Sequence, residues 1–180
     1  MTSEHLDLFR EVGRMLWEAG LVSSRGGNLS IRLPDGGIVI TRTGAMLGRL
    51  SESDLVTVAP DGSADGAQTG ALTGEPSMDT ALHRAAYDAT DAAAVLHAHP
   101  RHAIALSLDA DVIEPVDAEG QLRLGAVPVV EAEAIPQALR DAPIAVARGH
   151  GSYARGDDLW QALQWTTVVE ESAHVLWLTR

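Results

Sequence analysis

Two histidines separated by one residue, in Val95-Leu96-His97-Ala98-His99-Pro100, are the sharpest local feature of the chain. The run reads as a strand, where side chains alternate between faces, so His97 and His99 point to the same side. Paired imidazoles suit a transition metal. Zinc takes nitrogen ligands at about 2.0–2.1 Å, and a catalytic zinc keeps about three protein ligands with one position open. A third ligand is therefore expected elsewhere, and His150 is the candidate. It sits in Ala147-Arg148-Gly149-His150-Gly151, between two glycines that let backbone approach a ligand closely. The competing reading makes His97 and His99 polar residues at a strand end, satisfied by their neighbours. His83, four residues after Asp79 on an expected helix, either pairs with that carboxylate or is structural. His5, His102 and His174 stand in no comparable pattern.

Three polar loops accompany the histidines. Ser23-Ser24-Arg25-Gly26-Gly27-Asn28 joins an expected helix to an expected strand. Its backbone N–H groups can cradle an anion, and Arg25 offers a bidentate grip on phosphate. The same glycines are also ordinary helix-to-strand connectors. Thr41-Arg42-Thr43-Gly44 is the second loop and Pro76-Ser77-Met78-Asp79 the third. Ser77 lies just before a helix, where free N–H groups attract anions and where a simple helix cap would also sit.

Composition narrows the chemistry further. The chain has 180 residues, 46% of them hydrophobic, enough for one domain spanning 1–180. All 13 basic residues are arginine and there is no cysteine. That removes Schiff-base aldolases, pyridoxal-phosphate enzymes, Walker-type phosphate loops and cysteine nucleophiles, leaving a metal or His, Asp, Glu, Ser, Thr, Tyr and Arg to do the work. A formal charge of −12 argues against nucleic acid and anionic membrane as partners. The N-terminus begins an acidic amphipathic stretch, and no run approaches about 18 uninterrupted apolar residues. The expectation is a soluble cytoplasmic protein.

The elements that must hold these groups follow from periodicity. A helix is expected over 4–19, and a β-hairpin over 28–32 and 38–40 around Pro34-Asp35-Gly36-Gly37. A capped turn at 51–54 leads into a strand over 55–59, and a loop spans 62–75. Helix 78–89, strand 93–99 and a Pro-started helix 100–108 come next. Strands 127–130 and 144–147 flank helix 135–140, and a long helix over 157–178 closes the chain. Interleaved helices and hairpin-joined strands imply an α/β protein with a mixed sheet between helical layers.

Taken in order, Gly27-Asn28-Leu29-Ser30-Ile31-Arg32, Ile40-Thr41-Arg42-Thr43-Gly44, Pro76-Ser77-Met78-Asp79 with His83, His97-Ala98-His99-Pro100, Arg148-Gly149-His150-Gly151 and Glu170-Glu171-Ser172-Ala173 form a pattern covering nearly the whole chain. The sequence resembles the class II aldolase/adducin family, most closely its small sugar-phosphate aldolases of the L-fuculose-1-phosphate type. The resemblance implies a three-layer α/β/α fold around a mixed, largely antiparallel sheet, assembled as a homotetramer with interfacial active sites. It implies zinc on His97, His99 and His150, with Mn²⁺, Fe²⁺ or Co²⁺ as alternatives. It places a sugar phosphate on Gly27, Asn28, Thr43, Gly44 and Ser77, and gives Asp79 the catalytic acid/base role.

Three departures stand out. Asp79 is where the family usually has Glu, Met78 is where it has a second serine, and a tyrosine that some aldolases contribute from a neighbouring subunit has no clear counterpart. Arg25 can restore phosphate affinity lost at Met78. Glu119, in Asp117-Ala118-Glu119-Gly120, is the candidate for the missing tyrosine's catalytic role, beside the reading of that stretch as a solvated acidic turn. The implied reaction is retro-aldol cleavage of a ketose 1-phosphate to dihydroxyacetone phosphate and an aldehyde, through a metal-stabilised enediolate. Dehydration of a methylthioribulose phosphate, epimerisation of a pentulose phosphate and decarboxylation of a sugar acid are the alternatives on the same scaffold. A non-catalytic adducin-like binding module is the alternative of a different class.

Overall fold

A computed structural model describes residues 3–64 and 74–180, so most of the loop expected over 62–75 lies outside the described residues. Eight strands form one sheet in the order β3-β2-β1-β4-β8-β7-β6-β5. They are β1 (Asn28–Arg32), β2 (Ile38–Thr41), β3 (Leu55–Val58), β4 (Ala94–Ala98), β5 (Val112–Ile113), β6 (Val127–Val130), β7 (Ile144–Ala147) and β8 (Gly151–Gly156). Among the described residues only the β6–β7 pair is parallel, which is the mixed, largely antiparallel sheet expected from the sequence.

Helices cover both faces. On one lie α1 (Ser3–Glu18), α3 (Arg101–Ser107), α4 (Ala118–Arg123) and α6 (Leu159–Leu178), sharing a core around Phe9, Leu29, Leu96, Val146 and Val169. On the other lie α2 (Thr80–Ala89) and α5 (Ile135–Asp141), packed over Ile40, Val95, Ala145 and Tyr153. The two cores use opposite faces of the same strands, as the alternation of Leu96 and Val95 in β4 requires. Among the described residues, no helix is long and apolar enough to cross a membrane.

Local chemistry explains most boundaries. Gly36 closes the β1–β2 hairpin at φ +87°, while the Gly37 N–H donates to Asp35 Oδ1 at 2.9 Å. Ser51 and Asp54 satisfy each other in a capping box. Asp158 caps α6 by accepting from the Gln161 N–H at 2.8 Å, so the closing helix starts later than expected. Two short elements, β5 and α4, have no counterpart in the sequence reading. Nor does β8, the strand between β4 and β7. With glycine at each end and an arginine inside, Gly151-Ser152-Tyr153-Ala154-Arg155-Gly156 lacks the β-branched residues that announce a strand. Its first glycine is there for packing, because a Cβ on Gly151 would sit 2.3 Å from the Ala98 carbonyl oxygen and 2.9 Å from the His97 ring.

Candidate active site

His97, the last residue but one of β4, is almost wholly buried, and its Nδ1 lies 3.0 Å from the Ser152 carbonyl oxygen. A carbonyl only accepts, so Nδ1 carries the proton and Nε2 presents its lone pair. His99 lies one residue beyond the strand, its N–H donating to the Leu21 carbonyl at 2.7 Å, and its Nε2 comes 3.1 Å from His97 Nε2. His150 stands in the turn joining β7 to β8, which Gly149 enters at φ +67°. One donor atom from each of the three histidines lies within 4.8 Å of the others.

These residues fit a divalent metal. Nitrogens arranged tetrahedrally around zinc stand about 3.3 Å apart, close to the His97–His99 separation of 3.1 Å. Burial, then the neighbouring His99, pushes the His97 pKa down to about 3, and burial followed by His150 lowers that of His99. Both rings are thereby held neutral, the protonation state a metal requires.

Asp79 is the N-cap residue of α2, but its side chain makes no capping bond. Its Oδ2 accepts from Asn28 Nδ2 at 2.7 Å and stands 3.9 Å from His97 Nε2. Asn28 Oδ1 is buried without a partner, leaving one acceptor unspent beside the carboxylate. The Asp79–His83 side-chain pairing considered from the sequence is not formed. His83 instead lies fully buried with Nδ1 2.7 Å from Ser30 Oγ, which in turn stands 2.7 Å from the Tyr87 hydroxyl.

That burial outweighs the opposing pull of Asp79's charge and lowers the His83 pKa to about 4. In the unfolded chain it titrates near the usual ~6.5. Between those values the unfolded chain binds a proton that the native one refuses, so stability falls as pH falls through the window, by at most about 3 kcal/mol. Denaturant midpoints should drop more steeply from pH 7 to pH 4.5 in the wild type than in His83→Gln. Parallel pH profiles would remove His83 as the cause.

The cleft encloses about 240 Å³. Arg25, Gly27, Asn28, Thr43, Gly44, Ser77 and Asp79 line it together with the three histidines, so these predicted positions do converge. Arg25 is tethered to the Gly44 carbonyl by Nη1 at 3.1 Å, and Thr43 Oγ1 donates to the Pro76 carbonyl at 2.9 Å. Gly27, at φ +77°, is needed: a Cβ there would lie 2.8 Å from the His97 carbonyl oxygen. Glu119 is not brought in. It is exposed on α4, whose N-terminus is capped by Asp117 accepting from the Gly120 N–H at 2.7 Å.

Two lining or supporting residues escape the sequence reading. Arg42, whose guanidinium pairs with Asp54 at 2.7 Å, adds a second cation to the wall. Tyr153 on β8 is buried and stacks on His97, with ring centroids 4.2 Å apart and planes 13° off parallel. Burial raises the Tyr153 phenol pKa, and the charge of Asp79 raises it further. A wider groove between α3, β5 and the end of α6 is walled by Leu106, Val112, Pro115, Val116 and Leu176, and contains no comparable cluster of ionisable groups.

The model of the family described as Class II Aldolase and Adducin N-terminal domain matches residues 8–177. The chain belongs to the class II aldolase and adducin family. Relatives within it run different reactions. A methylthioribulose-1-phosphate dehydratase of Gluconobacter oxydans is 34% identical over 180 residues, covering 85% of this chain and 81% of its own. A 3-oxo-tetronate 4-phosphate decarboxylase of Haemophilus influenzae is 30% identical, covering 93% of this chain and 84% of its own. The crystal structure of an L-fuculose-1-phosphate aldolase from Thermus thermophilus superposes with a TM-score of 0.88 at 34% identity, over 99% of this chain and 95% of that one. The relatives are named as enzymes, and this chain is an enzyme of that superfamily.

Proposed function

We propose that the protein is a metal-dependent lyase that cleaves a ketose 1-phosphate, such as L-fuculose 1-phosphate or a related deoxy-ketose phosphate, into dihydroxyacetone phosphate and an aldehyde. The observation that carries this reading is the convergence, in one cleft, of a three-histidine donor set, a carboxylate 3.9 Å from it and two arginines. Length supports it too, since the Thermus aldolase is matched over 95% of its chain and the Gluconobacter dehydratase over 81%.

A divalent metal on His97, His99 and His150, with zinc the best match to three imidazole nitrogens, would supply Lewis acidity for the negative charge that develops as the carbon–carbon bond breaks. The protein's own groups do the rest. Arg25 and Arg42, with Asn28, Thr43, Gly44 and Ser77, gather positive potential and donors for the phosphate in a molecule whose net charge is −12. Cleavage takes a proton from the C4 hydroxyl and returns one to C3, so no net proton is consumed. Asp79, 3.9 Å from the donor set, would deliver the C3 proton.

The apolar side chains left exposed, including Leu108, Leu122 and Leu178 at 62%, 80% and 71%, support assembly into the homotetramer of the family resemblance. A catalytic role for Glu119 requires such an assembly, because its own chain does not bring it to the cleft.

Dehydration is the second reading, because the Gluconobacter dehydratase is as similar in sequence, at 34% identity, as the Thermus aldolase. Incubating the metal-loaded enzyme with a panel of ketose 1-phosphates separates the two. Release of dihydroxyacetone phosphate, read by coupled NADH oxidation, is expected. Loss of water from a methylthioribulose phosphate with no aldehyde formed would overturn the aldolase assignment.

A further inference from the structure

The Glu170-Glu171-Ser172-Ala173 run lies on α6, outside the cleft. Glu170 reaches the start of α3 instead. That helix begins at Arg101 and its N-cap is Pro100, which has no side-chain oxygen to bond the free N–H groups of the first turn. The Glu170 carboxylate takes that part from the neighbouring helix. Its Oε2 accepts from the His102 N–H at 3.0 Å and from the Ala103 N–H at 3.3 Å. Its Oε1 stands 2.8 Å from His102 Nδ1, and because a carboxylate accepts, Nδ1 is the donor. His174, one turn further along α6, stacks on the same ring with centroids 4.2 Å apart and planes 19° off parallel. Bond and stack together clamp the first turn of α3 to α6.

We infer that Glu170 is a positioning residue for His99: it anchors the first turn of α3 and, through Pro100, sets where that histidine stands in the donor set. His97 lies inside β4, with β1 and β8 on either side. His99 lies beyond the strand's end, its main chain held on one side by its own N–H donating to the Leu21 carbonyl at 2.7 Å. On the other side comes a proline, whose ring fixes φ, here −64°, and whose carbonyl accepts from the Ile104 N–H at 2.9 Å. Residues 99–104 therefore move as one piece with the start of α3. Without an acceptor, the N–H groups of His102 and Ala103 would have to turn towards solvent, and His99 would shift with them. A metal ligand is sensitive to such a shift. Ligand distances hold to within about 0.2 Å, and losing a group that orients a ligand costs about 10- to 100-fold in metal affinity.

This inference rests on the metal site assigned to His97, His99 and His150 above, and its test reads metal binding directly. Zinc affinity is measured by competition with a chromophoric chelator, and the visible spectrum of the cobalt-loaded protein reports coordination geometry. In Glu170→Ala, zinc is expected to bind about 10- to 100-fold more weakly, with a displaced cobalt spectrum. Glu170→Gln is expected to stay within about threefold of wild type, because an amide oxygen in the place of Oε2 keeps both backbone donors. Glu170→Asp, shorter by one methylene, is expected to fall between the two, and it tests the same reach if the alanine variant does not fold. Asp158→Ala is the control for lost stability. It removes the cap at the start of α6, where Asp158 accepts from the Gln161 N–H, and leaves residues 99–104 alone. Its metal-free melting temperature is expected to fall while its zinc affinity and cobalt spectrum match wild type.

Wild-type zinc affinity in Glu170→Ala or Glu170→Asp, a glutamine variant as weak as the alanine one, or an equal loss in Asp158→Ala would each overturn the positioning role while leaving the three histidines as the metal centre. A wild-type protein that competes for no zinc would overturn the metal centre itself, and this role with it.

Discussion

Replacing His97 with alanine is expected to release the metal and to lower turnover by at least about a thousandfold, the equivalent of the several kcal/mol a bound metal contributes to stabilising developing charge. The reason lies in how firmly this ring is built in. It is 2% exposed, its Nδ1 is fixed by the Ser152 carbonyl and one face lies on Tyr153. Its Nε2 is the point nearest both His99 and Asp79. Truncation also leaves a void under β8, so the variant's melting temperature must be measured alongside metal content. His99→Ala provides the control. That residue is only partly buried and lies beyond the end of β4, so its loss should remove metal and activity with little cost in stability. Full metal occupancy with normal turnover in either variant would remove the triad as the metal centre.

The histidine centre was legible because each part of it obeys a short-range rule. Alternation along a strand brings His97 and His99 to one face, and a His between glycines marks a turn that backbone can approach closely. The polar loops of the cleft were legible for a similar reason, as Gly27 and Gly44 both sit at positive φ. What was not legible is long-range. β8 has the composition of a loop, and only its burial between β4 and β7 makes it a strand. Tyr153 therefore stood in no expected element, although it lies across from His97. His83 and Asp79 have the helical spacing of a pair, but α2 begins at Thr80, which places Asp79 outside the helix and turns it towards Asn28. Position on the chain suggested Glu119 as a catalytic group, whereas α4 packs against α6 and leaves it exposed away from the cleft.

Asp79→Asn is expected to keep the metal and lose about 10²–10⁴-fold in kcat, the range supplied by a positioned proton donor or acceptor. The substitution is nearly isosteric. An amide oxygen at position 79 can still accept from Asn28 Nδ2, so Asn28 and the histidines are left in place. What disappears is the ability to carry a proton. Metal content distinguishes this from a ligand role: the 3.9 Å to His97 Nε2 puts the carboxylate beside the donor set, and a variant that lost its metal would make Asp79 a fourth ligand instead. Asp79→Glu tests the geometry separately. It restores the chemistry with one extra methylene in a cleft fitted to the shorter side chain, where Asn28 already holds the carboxylate at 2.7 Å. Displacing the reacting oxygen by about 1 Å is expected to cost on the order of a hundredfold, so the glutamate variant should fall between wild type and the weaker end of the asparagine range. A glutamate variant as active as wild type would show that the cleft tolerates either length, and an asparagine variant with normal kcat would move the proton transfer to another group.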